Sequence, residues 1–366
     1  MVLIVVIFLI ILHLTHNIIN KKNYSINTCI LIILVLLAGL RDSYGADYSS
    51  YLEYYNNSIS FHQIVATNLE SGFESLALIF KSIGFGFNTL LLFVAFLAIS
   101  LKIRSFNTFS PYPALSLMIY LLMFYVTDDL EQIRGGLAIA ITLYSIKYIQ
   151  NRKIFKYTLM IILAFAFHRS AILFYPVYFL WGFKLTKKSI FLTLVPAVII
   201  SRLDVMTLLN SVNTQLIQSN YLHDRISGYI GYDTPSLTGT ILLRTTIFVF
   251  SFLYLYKNED SNIFINIYYY GILVLLIFVR FPIISIRGTL YFRYIEAIIV
   301  PFLLQSVIPM NLNITISSEK KKDLRVLFSI GKKYIALIFL GVLSVYYVIN
   351  FMTYMTSQTY FYYNTI

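Results

Sequence analysis

The sequence predicts an all-α polytopic membrane protein, on three observations. Only 12% of its 366 residues are charged while 58% are hydrophobic, and the mean hydropathy is +0.76, so there is too little polar surface to close a water-facing exterior. The apolar windows are continuous rather than alternating, which selects helices over a barrel. Several of them approach the roughly 20 residues that cross ~30 Å of hydrocarbon, where a helix satisfies its own backbone. The single cysteine, Cys29, sits in an apolar run and excludes an internal disulfide. A net charge of +12 would point to nucleic acid in a soluble domain; here it has to be assigned loop by loop, and no nucleic-acid partner is expected.

The pattern gives a single integral membrane domain over residues 1–366 with about twelve transmembrane helices. Residues 2–12 lack a basic start and a small-residue cleavage site before Lys21, and read as a retained first helix. Lys21 and Lys22 mark a cytoplasmic turn, and the second helix covers 26–40. A first outer loop, about 41–86, then carries Arg41, Asp47 and a tyrosine run at Tyr48, Tyr51, Tyr54 and Tyr55, which resembles a carbohydrate-handling surface. Within it, residues 74–83 read as an interfacial amphipathic helix bearing Lys81, the one lysine placed outside.

Helix three (87–101) ends inside at Lys102 and Arg104, and helix four (112–127) returns to an outer cluster of Asp128, Asp129, Glu131 and Arg134. Helices five and six form a hairpin turned by Lys147, Arg152, Lys153 and Lys156, and the return delivers His168, Arg169 and Ser170 to the face that holds Arg134. Helices seven (171–183) and eight (190–203) lead to a second outer loop, about 204–239. Helices nine (240–256) and ten (263–281) follow, the latter ending outside near Arg280, Arg287 and Arg293. Helix eleven reaches a basic cytoplasmic loop, about 310–333, and helix twelve (334–350) leads to an outer tyrosine-rich tail.

On this topology all lysines but Lys81 fall inside, whereas nine of twelve arginines lie at or near the outer face. Cations that break the topology bias serve something else. Arginine's planar fork binds phosphate bidentately and stays charged when partly buried, so the outer mouth suits an anionic ligand such as a phosphate or pyrophosphate.

Each signal has a plainer alternative. Arg134 and Glu131, three apart at a helix start, can form a structural ion pair. His168 is either an interfacial histidine or a base, kept neutral by Arg169 through like-charge repulsion. Asp42 and Asp47 can serve an Asx turn around Gly45. Tyr51, Tyr54 and Tyr55 follow helical spacing and can pack on the bundle, and Tyr268, Tyr269 and Tyr270 read as an aromatic belt. There is no glycine-rich phosphate loop, zinc-type histidine spacing or serine nucleophile elbow, and Asp128-Asp129 is a weak metal motif.

Four motifs in order carry a resemblance: Arg41-Asp42-x-x-Gly45-x-Asp47-x-x-x-Tyr51, Gln132-Ile133-Arg134-x-x-Leu137-Ala138, Phe167-His168-x-Ser170-Ala171, and Arg287-x-x-x-Tyr291-Phe292. Together they resemble the EpsG-like branch of Wzy-type polysaccharide polymerases, with one departure at Gly135, where such proteins often carry glutamine. The resemblance implies a GT-C-like membrane glycosyltransferase in a bacterial plasma or inner membrane. It would join polyprenyl-pyrophosphate-linked oligosaccharide repeats at the outer or periplasmic face, alongside a flippase and a chain-length regulator.

Release of a lipid pyrophosphate needs cations for the departing charge and a base for the acceptor hydroxyl. Arg134, Arg169, Arg287 and Arg293, with Gln132 and Tyr51, are the expected ligands of the pyrophosphate and sugar; Arg41 and Asp47 organise the outer loop. His168 is the expected base and Asp47 the next candidate. No cofactor or metal is expected where arginines do the neutralising. An O-antigen ligase would share the donor. A flippase would carry charge through the bilayer midplane, where the predicted helices bear only Arg244.

Overall fold

Some breaks between the helices carry a glycine or proline, as at Gly84, Gly86, Pro111 and Gly182, whereas Gln132, His168 and the turn at 151–153 interrupt the helices without one. The computed structural model describes residues 24–41, 45, 47–57, 70–203, 238–255, 259–281, 284–307 and 334–354. The expected first helix, most of the second outer loop and the basic cytoplasmic loop lie outside these. The described residues form helices only: α1 (Tyr24–Gly39), α2 (Tyr48–Asn57), α3 (Ser71–Ser82), α4 (Phe87–Phe109) and α5 (Pro113–Tyr120), which runs on as a π-helical stretch, Leu121–Glu131. Then come α6 (Ile133–Gln150), α7 (Ile154–Phe167), a 3-10 helix (Arg169–Leu180), α8 (Lys187–Arg202), α9 (Thr238–Leu255) and α10 (Glu259–Ile277). A π turn (Ile284–Gly288), α11 (Leu290–Arg293), α12 (Glu296–Val307) and α13 (Tyr334–Tyr354) complete them.

Among the described residues, α4, the Pro113–Glu131 segment and α13 are long and apolar enough to cross a membrane, and the pair Ser285–Arg293 and Glu296–Val307, bent by 41°, makes a fourth if it is one span. Four shorter apolar helices accompany them, so twelve crossings are not established. The seventh predicted helix differs in kind. It is a 3-10 helix around Pro176, whose ring removes a backbone donor. At ~2.0 Å per residue such a segment reaches further than an α-helix of equal length.

The chain divides into two compact units: residues 1–169 with 296–366, and residues 170–295. In the first, α4 packs on α1 and α6, α6 on α7, α3 on α4 and α7, and α12 on α5. Helix α6 is buried nearly all round, as expected of a helix that is apolar on every face. Helix α7 buries Tyr157, Ile161, Ala164 and Phe167 on one side, yet exposes Phe155, Leu159, Ile162 and Leu163 on the other. Helices α8 and α13 likewise expose rows of large apolar side chains, the surface a lipid environment covers. In the second unit α10 packs against α8, α9 and α11. Asn266 there donates to the Leu180 and Phe183 carbonyls at 3.1 and 2.8 Å, and Phe174 stacks on Phe292. Tyr268 and Tyr269 are buried inside this unit and Tyr270 packs on Phe292, so the expected aromatic belt is instead core.

Lys102 also corrects the sequence reading. It does not end a helix: α4 continues to Phe109, before Ser110 takes the extended backbone that a following proline favours. The Lys102 side chain is fully buried, with Nζ 2.6 Å from Asp129 Oδ2, an oxygen that also accepts the Tyr120 hydroxyl at 2.6 Å. Lysine stems lean toward the helix N-terminus, which carries the ammonium up α4 to the far end of the π stretch. Lys102→Met leaves the carboxylate buried without its cation, and should destabilise the protein by ~3–5 kcal/mol, read as a lower Tm in detergent. Combining it with Asp129→Leu should recover most of that loss.

Candidate functional site

The site grows from the end of the π stretch. The last carbonyls of a helix lack intrahelical donors. Arg41, just past α1, is buried at 7% exposure and its Nη1 donates to the Asp129 carbonyl at 3.1 Å; its Nε and Nη2 have no hydrogen-bond partner. Burial holds the Arg41 guanidinium below its usual pKa, though as an arginine it remains a cation. Gly45 lies against the next carbonyl: at φ +106° it takes a conformation other residues avoid, and a Cβ there would sit 3.0 Å from the Leu130 oxygen. The Arg41 and Gly45 elements of the first motif thus both dock the loop onto this helix end.

From that loop α2 rises with Tyr51 and Tyr54 three residues apart on one face. Tyr51 is buried against Phe73, and its hydroxyl lies 3.4 Å from Asp47 Oδ2. Burial first, and Asp47 second, push the Tyr51 phenol up to about 12, so it keeps its proton. Over these two rings lies the Arg134 guanidinium, 5.5 Å from the Tyr51 centroid and 5.1 Å from that of Tyr54, within cation–π range. The tyrosine run therefore packs on the bundle, with Tyr48 and Tyr55 against Phe87.

Arg134 opens α6, and its acid partner is Glu70. Nη1 meets Glu70 Oε2 at 3.3 Å, while Oε1 accepts the Arg169 backbone N–H at 3.0 Å and lies 3.9 Å from Arg169 Nε. The alternative Arg134–Glu131 pair does not form. Gln132, at φ −91° and ψ 58°, breaks the helix between them, so residues three apart no longer share a face. Glu131 is buried at the end of the π stretch instead. Sequence reading missed Glu70 because it started α3 at Glu74, whereas the helix starts at Ser71 and places Glu70 at its N-cap. An acid just before a helix was the available signal.

His168 caps α7, its N–H donating to Ala164 O at 2.9 Å. Its imidazole faces Gly135: a Cβ there would lie 3.4 Å from Cδ2 and 3.9 Å from Nε2. The next glycine is a close approach, since a Cβ at 136 would meet the Asp128 carbonyl at 2.5 Å. The Gly135-Gly136 pair thus seats α6 against the π stretch and leaves room for the histidine beside Arg134. Gln132 sits half-buried at the same joint.

The first unit therefore gathers Arg41, Asp47, Tyr51, Gln132, Arg134, His168 and Arg169. Arg287, exposed on the π turn, and Arg293, at the end of α11, belong to the second unit. Among the described residues no group of three or more acids, histidines or cysteines could hold a metal ion; Asp129 is engaged by Lys102 and Tyr120, and Asp128 by the Thr127 hydroxyl. Chemically, the arrangement offers half-buried guanidinium groups with N–H donors to spare beside an imidazole.

The sequence model of the EpsG family matches residues 24–318. No curated protein and no solved structure matches the chain.

Proposed function

Because the chain belongs to the EpsG family, we propose that it is a polysaccharide polymerase which extends polyprenyl-pyrophosphate-linked oligosaccharide repeats at the outer face of a bacterial plasma or inner membrane. The observation that carries this reading is the placement of His168 against Gly135, next in sequence to the Arg134 guanidinium. In the proposed step the acceptor sugar's hydroxyl oxygen attacks the anomeric carbon of the donor chain. The bond from that carbon to the pyrophosphate oxygen breaks, its electron pair leaves with the lipid pyrophosphate, and the hydroxyl proton passes to the His168 imidazole. Arg134 and Arg169 stabilise the departing pyrophosphate charge, and Arg41 with Asp47 and Tyr51 fixes the loop beside them. Arginines supply this neutralisation without a cofactor in the proposal.

The buried Lys102–Asp129 pair is a charge inside the bundle that the sequence argument against a flippase of lipid-linked sugar left out. The pair is closed, however, with ammonium and phenol converging on one carboxylate oxygen. Purified protein in detergent separates the two readings. Given lipid-linked repeat with no membrane to cross, the polymerase lengthens chains, seen as a ladder on a gel; a flippase leaves them at one repeat.

A further inference from the structure

We infer that Glu70 is a resident counter-anion, which holds the arginine pair in the empty site and must yield its place to a diphosphate when one binds. Its carboxylate is split between two residues, Oε2 toward Arg134 and Oε1 toward Arg169, so it makes a two-ended fork with neither. The separations of 3.3 and 3.9 Å exceed the ~2.7–2.9 Å of a strong guanidinium–carboxylate bond. The three side chains are 20%, 23% and 39% exposed, so the pair is within reach of a ligand. The Nε of each arginine is buried without a hydrogen-bond partner. One carboxylate against two guanidiniums leaves one positive charge and spare donors; with the carboxylate displaced, two guanidiniums meet the two or more negative charges and the several oxygens of a diphosphate.

Resting on the polymerase reading, this gives Glu70 a purpose: it lowers the affinity of the arginines for the lipid pyrophosphate left after transfer, and so lets that product leave. The site would discriminate by charge number, since a singly charged phosphodiester competes poorly against a resident carboxylate.

The test is titration of inorganic pyrophosphate into full-length protein in detergent at fixed salt. Glu70→Gln keeps the shape and removes the charge, and should bind pyrophosphate about threefold to tenfold more tightly than wild type. Equal or weaker binding overturns the inference and makes Glu70 a support for the arginines. Should that variant not fold, wild type answers through hydrogen exchange. Pyrophosphate that draws Glu70 away frees the Arg169 amide and speeds its exchange, whereas slowed or unchanged exchange overturns the inference.

Polyprenyl pyrophosphate in mixed micelles should show the same gain in Glu70→Gln. A gain as large for phosphatidylglycerol would overturn the assignment to diphosphates. Failure of wild type to extend chains, with the pyrophosphate gain intact, would remove the polymerase and leave the counter-anion standing. Normal extension without the gain would do the reverse.

Discussion

Arg134→Lys should lower chain extension by roughly ten- to a hundredfold although it preserves the charge, because charge-assisted hydrogen bonds of ~1.5–3 kcal/mol each depend on the fork that lysine lacks. The structure sharpens the reason. The guanidinium lies within cation–π range of two tyrosine rings while its Nη1 meets Glu70, a set of contacts that a compact ammonium with no planar fork cannot reproduce. Rates from purified protein, normalised to folded material, give the comparison. If Arg134→Lys makes normal polymer while Arg134→Ala makes none, the residue is a simple charge and the clamp is gone.

His168→Gln should cost ~10²–10⁴ in rate while the protein inserts at its normal level, since a positioned base contributes about that much. Glutamine retains a hydrogen-bonding group at the Gly135 face but cannot take the proton, so the substitution separates packing from proton transfer. Full activity in His168→Gln would leave the enzyme in place and move the base to Asp47, which lies beside Tyr51.

What the sequence made legible follows from what is continuous along it. Apolar runs give helices because lipid leaves the backbone no other partner, and α1, α3 and the α6–α7 hairpin appear close to where the runs place them. The motifs pointed to residues that the first unit does gather, Arg41, Asp47, Tyr51, Arg134 and His168 among them. Some failures are local, as at the start of α3 and the break at Gln132, and the rest are tertiary. Lys102 follows an apolar run and so imitates a helix end, yet its partner is 27 residues away on another element. Glu70 lies 64 residues before Arg134, in a polar loop without periodicity. Tyr268 and Tyr269 carry a polar tip that suggests an interface, but Tyr269 spends it on Thr193 and the Ile190 carbonyl inside the second unit. The long π and 3-10 segments have no single-residue signature beyond Pro176.

The ion pair between α4 and the end of the π stretch also constrains how the chain enters the bilayer. A lone lysine or aspartate near the centre of an inserting helix opposes partition by ~2.5–3.5 kcal/mol. Lys102, toward the end of α4, and Asp129, close to the end of the π stretch, are off-centre, so each would oppose it by less than that if their helices moved into lipid one at a time. The helices are joined only by Ser110, Pro111 and Tyr112, short enough for both to leave the translocon together with the charges already matched. Entry of the two as one hairpin would keep α4 at the translocon until Asp129 has emerged. Lys102→Met would therefore act in opposite directions at two moments, easing the entry of α4 on its own while leaving the finished bundle less stable.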